Sequence, residues 1–340
     1  MKKIIFTSLH LYIITSLLLA CNNSQPQATD TEPAEPSSPE FSADSAYAYV
    51  AAQCAFGPRV MGSEAHEGCG KWLVEKFSQF GAKVWVQEGD SRLYDGTPIR
   101  LSNIIAVFGD SLPGRLQVSS HWDSRPWADN DPDASFHHTP IDGANDGASG
   151  VGVMLELARQ FHRQHPEIGV ELVCWDAEDC GTPQWAEQDD MLHRDESSTW
   201  CLGSQYWALS RNQGAVEPWN PSRSKYIGGI LLDMVGGRDS RFLKEYSSLR
   251  HAPHIVDKVW TVASRLGYGN YFRNEDGGGV TDDHLQVIKS GIPCIDIICS
   301  GADGHGFADT WHTMDDNLQN IDPQTLKAVG QTLMEVIYTL

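Results

Sequence analysis

Short apolar runs that each end in acidic or histidine residues recur along this chain and limit the folds that it can adopt. The runs are residues 116–120, 170–175 and 227–232, and they are followed by His121-Trp122-Asp123, Asp176-Ala177-Glu178-Asp179 and Asp233, respectively. Each run has the length and apolar character of a buried strand. Segments with apolar residues at helical spacing lie between and beyond the runs. This alternation predicts an α/β fold, a single domain in which helices flank a central mixed, mostly parallel sheet.

Other segments extend the same pattern. Residues 42–80 are helix-like, with Ser63 as the cap of a second helix, and residues 146–161, 255–266 and 326–338 carry amphipathic helical spacing. Residues 82–87 and 101–108 are typical of strands, and residues 294–298 follow Gly-Ile-Pro punctuation as another buried strand. In such a sheet the strand ends form the binding crevice.

The N-terminus has the composition of an export signal. Lys2-Lys3 precede an apolar run over residues 4–19, and Ala20 stands directly before Cys21. This arrangement resembles the lipobox of bacterial lipoproteins, in which the cysteine after the cleavage point is lipidated. We therefore expect a signal peptide at 1–20, a lipidated Cys21 with a disordered tether at 21–41, and a catalytic domain at 42–340. An ordinary signal peptide or a membrane anchor is the alternative.

The expected localisation is the bacterial envelope, to which the protein would be exported and anchored as a periplasm-facing lipoprotein. The chain has a formal net charge of −20. Such an acidic surface repels nucleic acid and anionic lipid, so no nucleic-acid partner is expected. Membrane contact is expected only through the lipidated N-terminus.

Seven cysteines remain after Cys21, so at least one thiol stays free. Cys174, Cys294 and Cys299 lie in buried-strand patterns and are interpreted as small core residues. Cys180 and Cys201 flank an insertion and are the first candidates for a disulfide, which an exported protein permits.

The acidic and histidine residues at the strand ends suggest a metal site. The set comprises His121, Asp123, Asp146, Glu178, Asp179, Asp233 and, within Trp311-His312-Thr313-Met314-Asp315, His312. One such residue alone is usually a solvated loop side chain. Together they offer imidazole nitrogens and carboxylate oxygens, the ligands of catalytic zinc, with an adjacent acid left to move protons.

Five segments resemble the zinc-dependent aminopeptidase clan of peptidase family M28, and more narrowly its glutaminyl-peptide cyclotransferase branch. They are residues 120–125 (Ser-His-Trp-Asp-Ser-Arg), 143–150 (Gly-Ala-Asn-Asp-Gly-Ala-Ser-Gly), 175–179 (Trp-Asp-Ala-Glu-Asp), 231–234 (Leu-Leu-Asp-Met) and 311–317 (Trp-His-Thr-Met-Asp-Asp-Asn). The resemblance covers roughly residues 41–340.

The resemblance implies one zinc ion held by Asp146, Asp179 and His312. It implies Glu178 as general base and acid, with Asp233 and Asp282 in a hydrogen-bonded network around it. The substrates would be peptides and proteins with N-terminal glutamine, cyclised to pyroglutamate with release of ammonia. Trp311 and Trp185 would line the aromatic pocket. The animal pattern has Glu-Glu where this chain has Glu178-Asp179, so the shorter aspartate would shift the metal slightly.

Two alternatives stay open. A two-zinc aminopeptidase would use His121, Asp146 and Asp233 for one metal and Asp146, Asp179 and His312 for the other. A catalytically inactive lipoprotein that only binds peptides is the second alternative, against which an intact Glu178 argues. The residues Asp282-Asp283-His284 and the tryptophan before His312 favour the cyclase.

Residues 129–133 (Asp-Asn-Asp-Pro-Asp) begin like a calcium loop. The EF-hand pattern fails because Ala134 replaces the glycine and Pro140 stands where the closing glutamate belongs. We therefore expect a solvated acidic loop here.

Overall fold

The computed structural model describes residues 33–186, 198–215, 217–220, 224–301 and 306–340. The expected signal peptide and Cys21 lie outside these residues. No helix in the described part of the chain is both long and apolar enough to span a bilayer.

A single eight-stranded sheet forms the centre of the domain, in the order β1-β2-β4-β3-β5-β8-β6-β7. The strands are β1 Lys83–Arg92, β2 Pro98–Phe108, β3 Gly114–His121, β4 Gly169–Trp175, β5 Lys225–Asp233, β6 Arg241–Lys244, β7 Phe272–Asp276 and β8 Cys294–Ser300. The central strands β4, β3, β5 and β8 are parallel, and β1 and β2 pair antiparallel. Strand β6 pairs antiparallel with β8 and parallel with β7. The mixed, mostly parallel sheet predicted from the sequence is confirmed.

Helices cover both faces of this sheet. They are α1 Ala43–Cys54, α2 Glu64–Gln79, α3 Ala148–Arg163, α4 Leu202–Asn212, α5 Tyr246–His251, α6 Pro253–Arg265, α7 Asp283–Lys289 and α8 Pro323–Tyr338. Alternate residues of β4 face opposite cores: Leu172 joins the core under α1, α3 and α8, and Val173 joins the core under α4 and α7. This two-sided burial explains why the central strands are continuously apolar.

Capping side chains begin the first two helices. Ser42 Oγ accepts from the backbone N–H of Ser45, and Ser63 Oγ accepts from that of His66. The cap predicted at Ser63 is therefore confirmed, and the helix-like stretch 42–80 is two helices separated by a loop.

The domain begins earlier than the sequence suggests. Ser37 and Ser38 donate backbone N–H bonds to Glu335 on α8, and Phe41 is fully buried with its N–H bonded to Gln331. The predicted tether boundary at residue 41 is therefore wrong, since residues 33–340 form one compact unit. Proline and serine content alone could not show that this segment packs against α8.

Parallel strands bring their carboxyl ends to one edge of the sheet. His121 is the last residue of β3, Asp233 is the last residue of β5, and Asp176 directly follows β4. The segment after β8 carries Trp311 and His312 to the same edge, where His312 contacts Asp179 in the loop that follows β4. The candidate site is assembled there.

Candidate metal and acid–base site

The three predicted metal ligands meet at this edge, from three separate segments. Asp146 precedes α3, Asp179 lies in the loop after β4, and His312 lies in the loop after β8. All three are buried, and one donor atom from each lies within 4.8 Å of the other two. His312 Nε2 is 3.0 Å from Asp179 Oδ1 and 3.7 Å from Asp146 Oδ2.

These residues fit a zinc ion. Among the described residues, neither carboxylate oxygen of Asp179 receives a hydrogen bond of acceptable geometry. Burial, reinforced by the neighbouring charge of Asp146, raises the pKa of Asp179 to about 6. Buried carboxylates beside an imidazole, lacking donors of their own, are the arrangement that a divalent cation completes. A bound cation would reverse this pKa shift.

A second potential ligand group shares Asp146. His121 Nε2 lies 2.9 Å from Asp146 Oδ1 and 3.4 Å from Asp233 Oδ1, and the three donor atoms are mutually within 4.8 Å. This is the set that a two-metal aminopeptidase would use, and the geometry brings it together as well.

The predicted acid–base residues Glu178, Asp233 and Asp282 line the same cavity as the ligands. Burial, reinforced by Asp282 and Asp179, raises the pKa of Glu178 well above its ordinary value. Burial and the nearby Asp233 raise the pKa of Asp282 well above its ordinary value in the same way. Carboxyl groups crowded in this manner share protons instead of all ionising.

Several backbone positions in the site are strained. Ala177 precedes Glu178 with a φ of 52°, Met234 follows Asp233 with a φ of 48°, and His312 itself has a φ of 55°. Side-chain-bearing residues rarely adopt this left-handed region, and such strain concentrates at functional sites. The three positions aim Glu178, Asp233 and His312 into one cavity.

The cavity has a volume of about 290 Å³ and an apolar wall over an acidic floor. Trp311 stacks on the His312 ring at 3.7 Å and contacts the tilted ring of Phe307 at 4.6 Å, and Trp200 lies parallel to His312 at 5.9 Å. Trp311 therefore lines the cavity as predicted. The second indole of the wall is Trp200, whereas Trp185 is 42% exposed and packs against Trp127 and His138.

Cys180 and Cys201 are both free, buried thiols, so the structure contradicts the disulfide suggested for them. Cys201 Sγ instead donates to Glu178 Oε1 at 3.2 Å, and Cys180 Sγ donates to the carbonyl of Ala177. Both thiols face the loop after β4 instead of each other. The core positions predicted for Cys174, Cys294 and Cys299 are confirmed.

Carboxylates behind the ligands fix their backbone. Asp123 accepts from the N–H groups of Glu178 and Asp179, both at 3.1 Å. Asp316 accepts from those of Asn145 and Asp146. Asp123 was visible in the sequence as a strand-end acid, but the contribution of Asp316 depends on a loop contact that no local pattern reveals.

The sequence predicts that the acidic loop at residues 129–133 is solvated, but the structure shows that part of it is buried. Asp133 is exposed, but Asp129 is buried and forms two hydrogen bonds with the buried guanidinium of Arg125. Burial alone would raise the pKa of Asp129, yet the bonds from Arg125 and His312 hold it below its ordinary value. A charged partner makes the burial of this acid tolerable.

A further buried group lies behind Asp282. His284 Nε2 is 3.3 Å from Glu245 Oε2, and His284 Nδ1 is 3.6 Å from Asp296 Oδ2. Asp283 accepts a bond from the hydroxyl of Ser204. The motif Asp282-Asp283-His284 thus continues the acidic floor into the core.

The sequence and fold of this chain are similar to those of known proteins. The sequence model of Peptidase family M28 matches residues 103–337. A crystal structure of Bacteroides thetaiotaomicron glutaminyl cyclase bound to N-acetylhistamine is 49% identical, with a TM-score of 0.82 over 89% of this chain and 99% of that one. A Zn-dependent exopeptidase from Parabacteroides distasonis is also 49% identical, with a TM-score of 0.80 over 89% and 99%.

Bovine glutaminyl-peptide cyclotransferase is 26% identical over 300 residues, which is 81% of this chain and 76% of the relative. The family match extends over more than half of the chain, and the bacterial relatives match it almost from end to end. The chain therefore belongs to peptidase family M28, and within that family to the glutaminyl cyclases.

Proposed function

We propose that this protein is a zinc-dependent glutaminyl-peptide cyclotransferase, which converts the N-terminal glutamine of peptides and proteins to pyroglutamate and releases ammonia. One observation carries the proposal. The buried acids Glu178, Asp233 and Asp282 share a small, indole-walled cavity with the Asp146–Asp179–His312 group. A site of this kind can move a proton between two nitrogens while it limits access of water.

The reaction needs one bond made and one broken. The α-amine nitrogen of the substrate bonds to its own side-chain amide carbon, and the bond from that carbon to the amide nitrogen breaks. When bound, zinc supplies Lewis-acid polarisation of a carbonyl group. Asp146, Asp179 and His312 would hold a single ion.

Glu178 is the group that we assign to proton transfer. It takes a proton from the attacking amine and returns it to the departing nitrogen, which leaves as ammonia. A general acid–base group works best when its pKa lies near the working pH, and the raised pKa of Glu178 is in that direction. Asp233 and Asp282 keep a shared proton beside it, so the acidic floor remains only partly ionised.

Substrate binding is assigned to the indole wall. Trp311 and Trp200 face the cavity and leave room for about one side chain in its 290 Å³. The indoles exclude the water that would hydrolyse the amide instead. Trp185 packs against Trp127 and His138 outside the cavity lining, and we propose no direct contact between Trp185 and substrate.

A two-zinc aminopeptidase is the second candidate. It is favoured by the geometry of His121, Asp146 and Asp233, which places a second set of donor atoms within 4.8 Å of one another. The similarity to a Zn-dependent exopeptidase adds weaker support. The two candidates differ in products and in metal content.

One assay separates them. Purified protein is incubated with a glutamine-initiated peptide and, separately, with a leucine anilide, and products are followed by mass spectrometry and ammonia release. We expect the first substrate to lose the mass of one ammonia molecule and the second to remain uncleaved. Hydrolysis of the anilide without cyclisation would reject the cyclase. Metal analysis should find about one zinc per chain, while two tightly held zincs would favour the aminopeptidase.

We also propose that the protein is exported and anchored in the bacterial envelope through lipidated Cys21. The support is the sequence Leu18-Leu19-Ala20-Cys21 after a charged and apolar leader. Cells fed labelled palmitate should label the wild-type protein and leave Cys21→Ser unlabelled. Labelling that survives this substitution would refute the assignment.

A further inference from the structure

The acidic loop at residues 129–133 makes three contacts with residues 312–314, the His312 segment. Asp129 Oδ1 lies 3.5 Å from His312 Nδ1. The backbone N–H of Asn130 donates to the carbonyl of His312 at 3.1 Å, and Asp131 Oδ2 accepts from the N–H of Met314 at 2.9 Å. Contacts on the ring and on the backbone hold His312 in its left-handed conformation, which an unsupported histidine would leave.

Arg125 connects this loop to a second candidate ligand. Its Nε and Nη2 atoms bond both oxygens of Asp129, at 2.9 and 2.6 Å. Its Nη1 atom donates to the carbonyl of Asp179 at 3.1 Å and lies 3.6 Å from Asp179 Oδ1. The guanidinium also lies 4.6 Å from the ring of Trp200. One buried ion pair therefore touches two candidate ligands and the cavity wall.

We propose that the Arg125–Asp129 pair is a positioning element for the metal site, with Asp131 as its second attachment to the His312 segment. The inference rests on the proposed zinc site. The carboxylate of Asp129, 3.5 Å from Nδ1 of His312, favours the proton on that nitrogen, which leaves the Nε2 lone pair directed towards Asp146 and Asp179. Arg125 fixes the loop that carries Asp179. Metal affinity thus depends on residues that do not touch the metal.

Three variants test this directly. Asp129→Asn keeps the shape but removes the charge that binds Arg125 and Nδ1–H. Arg125→Lys keeps the charge but cannot form the two-pronged contact. Asp133→Asn is the matched control, because Asp133 belongs to the same loop, is exposed and caps only its own turn at Ser135.

The measurements are the zinc dissociation constant, by competition with a chelator of known affinity, and the visible spectrum of the cobalt(II)-substituted protein. We expect zinc affinity to fall about 10- to 100-fold in Asp129→Asn, with a changed cobalt spectrum. Arg125→Lys should change both in the same direction. Asp133→Asn should match the wild type in both.

An unchanged zinc affinity and cobalt spectrum in Asp129→Asn would overturn the inference. A lower melting temperature of the metal-free protein with unchanged zinc affinity would also overturn it, since the pair would then only stabilise the fold. If Asp129→Asn does not fold, Asp131→Asn decides: weaker zinc binding supports the inference, and wild-type binding rejects it. Failure of the wild type itself to bind zinc would instead refute the proposed function.

Discussion

Two buried acids on or just beyond β4 have opposite surroundings. Glu171 near the start of the strand is fully buried, and its two oxygens accept bonds from Arg115, Gln117 and the hydroxyl of Tyr226. Glu178, three residues past the end of the strand, faces other acids and receives one weak bond from the thiol of Cys201. A glutamate near the start of β4 therefore has its hydrogen bonds satisfied, whereas a glutamate beyond the end of the same strand is crowded by other acids.

The difference separates a structural acid from a reactive one. Burial raises the pKa of Glu171, and the charge of Arg115 and three hydrogen-bond donors oppose that shift. Around Glu178 most neighbouring charges add to the effect of burial. Crowded acids destabilise the fold, so the second arrangement is the one expected of a functional site.

The largest expected effect comes from Glu178→Gln. The amide has the same shape but cannot take up the proton of the attacking amine, so turnover should fall about 10²- to 10⁴-fold. Stability should be unchanged or higher, since one of the crowded acids is gone. Turnover is measured by ammonia release and retained zinc by metal analysis. A Glu178→Gln protein that is fully active would show that the crowding has no catalytic purpose.

We expect the opposite pattern from Glu171→Gln, a loss of stability without a loss of turnover. It leaves the buried guanidinium of Arg115 without a counter-charge, which costs about 3–5 kcal/mol of stability. The folded fraction should keep normal turnover. Urea unfolding measures the loss, with Glu88→Gln as control, because its Arg100 partner is exposed and a solvent-screened pair of this kind contributes little to stability. Equal stability losses in the two variants would remove the distinction between the two ends of β4.

The reactive edge could be predicted from the sequence because topology enforces it. Parallel strands end together, so acids that follow separate apolar runs, such as Asp179 and Asp233, must meet. Length and apolarity identified these strands, since β4 and β5 are buried on both faces. By contrast, β7 has a single buried residue, and α5 and α7 are six and seven residues long, so neither burial nor periodicity marks them.

The residues that support the ligands and the cavity wall could not be predicted. Their partners lie far away in the sequence, or no local pattern sets the direction of their side chains. The sequence predicts that Asp129 is a solvated loop acid, and only the structure shows that Arg125 folds back to pair with it. The choice of Trp200 over Trp185 depends on the path of an insertion that carries no periodic pattern. The sequence makes Cys201 a disulfide candidate, and only the fold shows that its thiol stays free beside Glu178.

The crowded edge should also make the metal-free protein sensitive to pH. Burial raises the pKa of Asp283 to about 7, whereas an unfolded aspartate titrates near about 3.9. Between these values the folded state binds more protons, so stability falls as pH rises from about 4 to 7. Asp283→Asn removes this contribution and should flatten the slope by up to about 1.4 kcal/mol per pH unit. Urea unfolding of chelator-treated protein at several pH values measures it, and identical slopes would contradict the expectation.

The smallest effect should come from the single donor that Asp283 has on α4. Ser204→Ala removes the hydroxyl bond to this carboxyl. Bonds to a charged acceptor contribute about 1.5–3 kcal/mol and bonds to a neutral one about 0.5–1.5. The variant should therefore lose about 1 kcal/mol more stability at pH 8 than at pH 5, again in the metal-free protein. Ser210→Ala, on the same helix, loses only a bond to the carbonyl of Tyr206 and should show no such dependence. If Ser204→Ala is equally pH-independent, Asp283 does not ionise in this range. The Asp283 carboxyl would then be as neutral as a core group, and its contrast with Glu171 would rest on hydrogen bonding alone.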